Sequence, residues 1–122
     1  MRMLYEELTS QILEASFEVI KELGTGFIES VYEKSLQVAL LQKNLNASRQ
    51  EPLTVRFRGF VVGDFYADMI VEEKVLVELK SVTRILNEHK AQVINYLKAT
   101  GIEVGLLINF GNAKLAYHRL YR

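Results

Sequence analysis

The apolar residues Leu4, Leu8, Ile12, Ala15, Val19 and Leu23 recur at steps of three and four, which predicts an amphipathic helix with one buried stripe. The glycines of Gly24-Thr25-Gly26 end it in a sharp turn, with Thr25 as a candidate cap for the next element. A second helix is predicted over 27–43, offering Val31, Leu36, Ala39 and Leu40 to the core and stopping at the turn formers Asn44 to Asn46. After Pro52 the period changes to two. Leu53, Val55 and Phe57 alternate with Thr54, Arg56 and Arg58 until Gly59 breaks the run, so 49–58 reads as a half-exposed strand. Strands over 60–71 and 75–80 follow, joined by Glu72-Glu73-Lys74, and the three strands form an antiparallel meander. Helical spacing returns from Ile85 to Thr100, with Gly101 at the expected C-cap. Val104 to Ile108 reads as a buried strand, Gly111-Asn112 as a turn, and Leu115 to Leu120 as a last strand. The order ααβββαββ over 1–122 predicts one domain of mixed α/β (α+β) class, a mixed sheet with an antiparallel meander flanked by helices.

The register of the meander raises the first question of chemistry. Alternation puts Asp64, Tyr66 and Asp68 on one face of the second strand and Phe65, Ala67 and Met69 on the other. On the third strand Val75, Val77 and Leu79 face one way, and Leu76, Glu78 and Lys80 the other. A three-residue loop at 72–74 pairs Val71 with Val75, which sets Asp68 across from Glu78 and Tyr66 across from Lys80. Two opposed carboxylates raise one another's pKa unless a cation sits between them. Oxygen ligands favour a hard ion such as Mg²⁺, held by a carboxylate pair, waters and a substrate phosphate. Lys80 then stands where it can orient water or neutralise charge building on phosphorus. The same spacing also fits a solvated sheet face with a surface ion pair worth about 0–1 kcal/mol.

Composition narrows the classes. The 122 residues are 49% hydrophobic, enough for one ordinary core. No apolar run approaches the ~18 residues of a membrane span, and MRMLYEELTS carries two glutamates where a signal peptide needs a basic start and an apolar middle, so a cytoplasmic location with no membrane partner is expected. With no cysteine, disulfides and thiolate chemistry are excluded. Net charge is zero, but residues 1–51 hold 5 Lys or Arg against 8 Asp or Glu, and residues 52–122 hold 10 against 7. A polyanion is therefore expected to meet the second half, with Arg49, Arg56, Arg58, Arg84 and Lys90 as candidate phosphate contacts.

Asp68, nine intervening residues and Glu78-Leu79-Lys80, followed by a helix carrying Gln92 and Tyr96, resemble the PD-(D/E)xK nuclease superfamily. Within it, Gly26-Phe-Ile-Glu29-Ser-Val-Tyr32, with ELKSV (78–82), HKAQVINYLK (89–98) and GLLINFG (105–111), resembles the GxxExxY protein family over nearly the whole chain. The superfamily's proline before the aspartate is absent, the local sequence being Tyr66-Ala67-Asp68. The resemblance implies a restriction-endonuclease-like core and a Mg²⁺ or Mn²⁺ site ligated by Asp68, Glu78 and Glu29. It further implies Lys80 as the catalytic lysine, Glu29 in support, and Gln92 and Tyr96 as helix-borne substrate or water contacts. The activity implied is metal-dependent hydrolysis of nucleic-acid phosphodiesters, DNA ahead of RNA, with a homodimer as the expected assembly. The alternative is an inactive nuclease-derived module that binds nucleic acid or a protein.

Single residues carry second readings. Glu29 in a first helical turn is favoured by the helix dipole whatever its chemistry, and Tyr32 reads as core packing. His89, Gln92 and Tyr96 form one helical stripe, His89 reading as a hydrogen-bonding orienter and not a ligand. His118 is expected to be exposed, and Gly101, Gly105 and Gly111 to serve turns and packing.

Overall fold

The computed structural model describes residues 4–122. Helices α1 (Glu6–Leu23) and α2 (Glu29–Gln42) lead into strands β1 (Ala47–Phe57), β2 (Phe60–Val71) and β3 (Val75–Lys80); α3 (Asn87–Thr100), β4 (Val104–Asn109) and β5 (Ala116–Tyr121) complete the order. One mixed sheet runs β1-β2-β3-β4-β5. Among the described residues its only parallel pair is β3–β4, because α3 crosses over between them. No helix among the described residues is long and apolar enough to cross a membrane.

The sheet separates two apolar layers. On one side Ile12, Ala15, Val19, Tyr32, Leu36 and Leu40 of α1 and α2 cover Met69, Val71, Val77, Leu79, Leu106 and Ile108. On the other, Val93, Tyr96 and Leu97 of α3 pack with Leu53, Ala67, Leu76 and Leu107. The α1 stripe is buried from Ile12 to Val19, while its ends, Leu4 and Leu23, are exposed. In α2, Leu36 and Leu40 are buried as expected, and Val31 and Ala39 only half so.

The departures from expectation lie at element ends. Thr25 does not cap α2: the helix opens at Glu29 with Ile28 before it and no side-chain cap. The turn is fixed instead by Tyr32, whose hydroxyl donates to Gly24 O at 2.7 Å and accepts from Phe27 N at 3.3 Å. Tyr32 also stacks on Phe110, ring centroids 4.8 Å apart, so it is the core residue it was read to be. β1 begins at Ala47, ahead of the expected 49, and tolerates Pro52 because it is an edge strand. α3 begins at Asn87, two residues after the expected start, with Leu86 N donating to His89 Nδ1 at 3.0 Å. His89 thus orients the helix entry. His118 is half-buried, not exposed, and burial together with the Lys90 charge lowers its pKa.

Candidate active site

β2 and β3 pair in the expected register at Val71↔Val75, Ile70↔Leu76 and Met69↔Val77, with left-handed Glu72 and Glu73 making the turn. The next rung would join Asp68 to Glu78, and there the ladder stops. Each carboxylate instead accepts an N–H from the other strand. Asp68 N donates to Glu78 Oε1 at 3.0 Å, and Leu79 N donates to Asp68 Oδ2 at 2.9 Å. The strands part here, and the two acids bridge the opening.

The parting corrects two expectations. Tyr66 does not lie across from Lys80: pairing with β3 has ended, and Tyr66 pairs with Pro52 and is exposed. Nor do Phe65, Ala67 and Met69 share a face. Met69 packs under α1 and α2, whereas Ala67 packs under α3 and the Phe65 ring lies 5.8 Å from that of Tyr96. The loss of strict alternation at Asp68 coincides with a rung missing from the β1–β2 ladder at the same level. Between Arg49↔Met69 and Glu51↔Ala67, Gln50 drops out of the ladder with a left-handed φ of 53°.

Glu78 is 4% exposed, and its pKa is pushed up to about 9 by burial first and by the negative Asp68 second. The Asp68 N–H and the positive charge of Lys80 pull the other way, so the ammonium lies within the field of the pair. Tyr96 shares that field. Burial and the charges of Glu78 and Asp68 raise its pKa, while Gln92, whose Nε2 donates to the Tyr96 hydroxyl at 3.3 Å, opposes the rise. Asp68 and Glu78 are thus joined through hydrogen bonds, Gln92 and Tyr96 are joined to each other, and Lys80 and Tyr96 are coupled to the carboxylates by charge.

Glu29 is not. It is exposed on the first turn of α2, and the described residues contain no group of three or more acids or histidines arranged to hold a metal. The buried acid of α2 is Glu33, one turn on. It accepts from Gln50 Nε2 at 3.0 and 3.2 Å and pairs with Arg49 Nε at 3.1 Å, tying α2 to β1 at the missing rung beside Asp68. Arg49 thus has its Nε turned to Glu33. Glu33 escaped the sequence reading because apolar periodicity carries no signal for a buried glutamate.

A second missed device holds Lys80. Asn109, opposite Lys80 in the parallel ladder, accepts from Val82 N and Gly111 N at 3.0 and 2.9 Å and donates to Val82 O at 2.9 Å. Gly111 lets the chain close on Val82: a Cβ there would fall 1.9 Å from Val82 O. The stretch after β3 is thus clamped directly behind the lysine.

The donor set fits a hard divalent cation. Each carboxylate gives one oxygen to a main-chain N–H, the two side chains also meet each other, and the crowded negative charge at Glu78 calls for a proton or a cation. Two carboxylates with the remaining positions left to water and phosphate is a common way to hold Mg²⁺.

Comparison with known proteins agrees. Residues 6–120 match the family model described as PD-(D/E)XK nuclease superfamily. Among solved structures, the crystal structure of SSO0001 aligns with a TM-score of 0.57 at 16% identity, covering 94% of this chain and 78% of that one. This likeness is one of fold, and it bears out the expected mixed, restriction-endonuclease-like architecture. No curated protein matches the chain.

Proposed function

The chain belongs to the PD-(D/E)XK nuclease superfamily, and from that premise we propose that it is a Mg²⁺- or Mn²⁺-dependent nuclease acting on DNA phosphodiesters. The observation that carries the reading is the exchange between Asp68 and Glu78, which closes the end of a β-ladder with two acids instead of a backbone rung and sets a lysine charge beside them.

Asp68 and Glu78 would hold the cation, which would supply a polarised phosphoryl oxygen and a more acidic water. The remaining work falls to the chain's own groups. Reciprocal N–H bonds fix both carboxylates before substrate arrives, so little reorganisation is left for the reaction. Lys80, at the end of β3 with the backbone two residues on held by Asn109, donates to the attacking water or to a phosphoryl oxygen and offsets the charge that grows as the new P–O bond forms. The P–O bond to the leaving sugar oxygen breaks, and water is divided between a phosphate monoester and a hydroxyl. Gln92 and Tyr96 donate to the substrate phosphate from the α3 side. Glu29 lies outside this set.

The purified chain should cut single- or double-stranded DNA in Mg²⁺ or Mn²⁺, and Lys80→Ala should lower the rate by about 10²–10³-fold. Cleavage at full rate by Lys80→Ala would remove this site as its origin.

A further inference from the structure

The β1–β2 hairpin runs on past the sheet. Pairing with β3 ends at Met69, and the hairpin turns only at Phe57↔Phe60, so at ~3.3 Å per residue its arm reaches roughly 26 Å beyond Asp68. The tip reads Arg56-Phe57-Arg58-Gly59-Phe60. Left-handed Arg58 (φ 51°) and Gly59 (φ 86°) close it as a two-residue turn, which holds the two rings across from each other. They face water: Phe57 is 59% exposed and Phe60 75%. The Arg58 guanidinium covers one face of Phe57, 4.8 Å from its centroid.

The arm leads back to the carboxylates. Between it and α3 lies a groove of about 920 Å³, with Arg56 and Phe65 on one wall and Glu88, Gln92, Tyr96 and Lys98 on the other. Tyr96 is the residue that senses the charges of Glu78 and Asp68.

We propose that the arm is a stacking platform for single-stranded DNA, which lays bases on Phe60 and Phe57, sets phosphates against Arg56 and Arg58, and passes along the groove towards Asp68 and Glu78. Charge selects this occupant. No acidic residue lies between Leu53 and Gly63, so a polyanion is attracted along the whole tip. A second copy docking tip to tip would press Arg56 and Arg58 against their equivalents. A duplex keeps its base faces stacked on one another, leaving exposed phenylalanines nothing to cover except at an end. The last step, delivery to the carboxylates, rests on the nuclease reading; the stacking itself does not.

The test is binding of the full chain in EDTA, where hydrolysis is off, to a labelled oligothymidylate of about 20 nucleotides, longer than the arm, and to a blunt duplex of equal length. The single strand should bind more tightly. Phe57→Leu with Phe60→Leu, which keeps apolar bulk but removes the ring faces, should weaken it by about tenfold or more, and Phe57→Tyr with Phe60→Tyr should retain it. Unchanged binding by the leucine variant, or preference for the duplex, overturns the proposal. So does sedimentation showing that the leucine pair dissolves a dimer while DNA binding persists, since the surface then belongs to a second copy. A chain that binds through the arm yet never cuts in Mg²⁺ or Mn²⁺ removes the nuclease reading alone. A chain that cuts with KM untouched by the leucine pair removes the platform alone.

Discussion

Glu78 holds its proton far above the ordinary carboxylate range when no cation is present, because burial and Asp68 both penalise its charge. A folded-state pKa of about 9 against an ordinary 4.5 means that the native chain binds more protons than the unfolded one between those values. Stability from this group is full below about pH 4.5 and is lost as pH rises towards 9. The metal-free Tm should therefore fall over that window, Glu78→Gln should flatten the fall, and Mg²⁺ or Mn²⁺ should recover much of it at the alkaline end; a Tm indifferent to all three changes would contradict the assignment. Asn109 gives a second prediction. Asn109→Ala removes three bonds to the Val82 and Gly111 backbone, which should cost about 1–3 kcal/mol in denaturant unfolding and lower kcat more than KM as Lys80 loosens. Asp68, Glu78 and Lys80 were legible because hairpin counting fixes register. Asn109 and Glu33 were not, since a polar residue on a buried strand or helix face is recognisable only once its partners are in place.

At the level of elements, β2 and β3 have the bounds expected of them, because alternation, the Glu72–Lys74 turn and Gly59 all mark their ends. The helix starts were less legible. Neither α2 nor α3 uses a side-chain oxygen at its N-cap: Ile28 and Leu86 stand there, while Tyr32 and His89 tie down the entries from inside the helix. The missing rung opposite Asp68 was invisible for a related reason, since a left-handed Gln50 inside a strand leaves no mark in the apolar pattern. The packing of α3 is tight where it matters for Tyr96. A Cβ on Gly105 would lie 2.8 Å from Val93 Cγ1 and 3.4 Å from Leu97 Cδ2. Gly105→Ala should accordingly push α3 off the sheet, destabilise the fold by about 1–3 kcal/mol and reduce cleavage beyond what the lost stability explains. Wild-type Tm and rate in that variant would show that α3 has room to spare.

On the scale of the whole molecule, the two apolar layers leave the parting of β2 from β3 as an opening under α3, with the hairpin arm on one flank and the clamped Lys80 on the other. The sequence predicted the basic half to meet a polyanion, and the structure puts Arg56 and Arg58 of that half at the hairpin tip, while Arg49 of the acidic half pairs with Glu33. The central claim is that Asp68 and Glu78 together receive a divalent cation. Calorimetric titration of Mn²⁺ into the wild-type chain near pH 7.5, repeated in buffers of different ionisation heat, measures it most directly. The account predicts binding that releases about one proton per ion, from Glu78, and that disappears in Asp68→Asn. Binding of equal strength in Asp68→Asn, or binding without proton release, would contradict it.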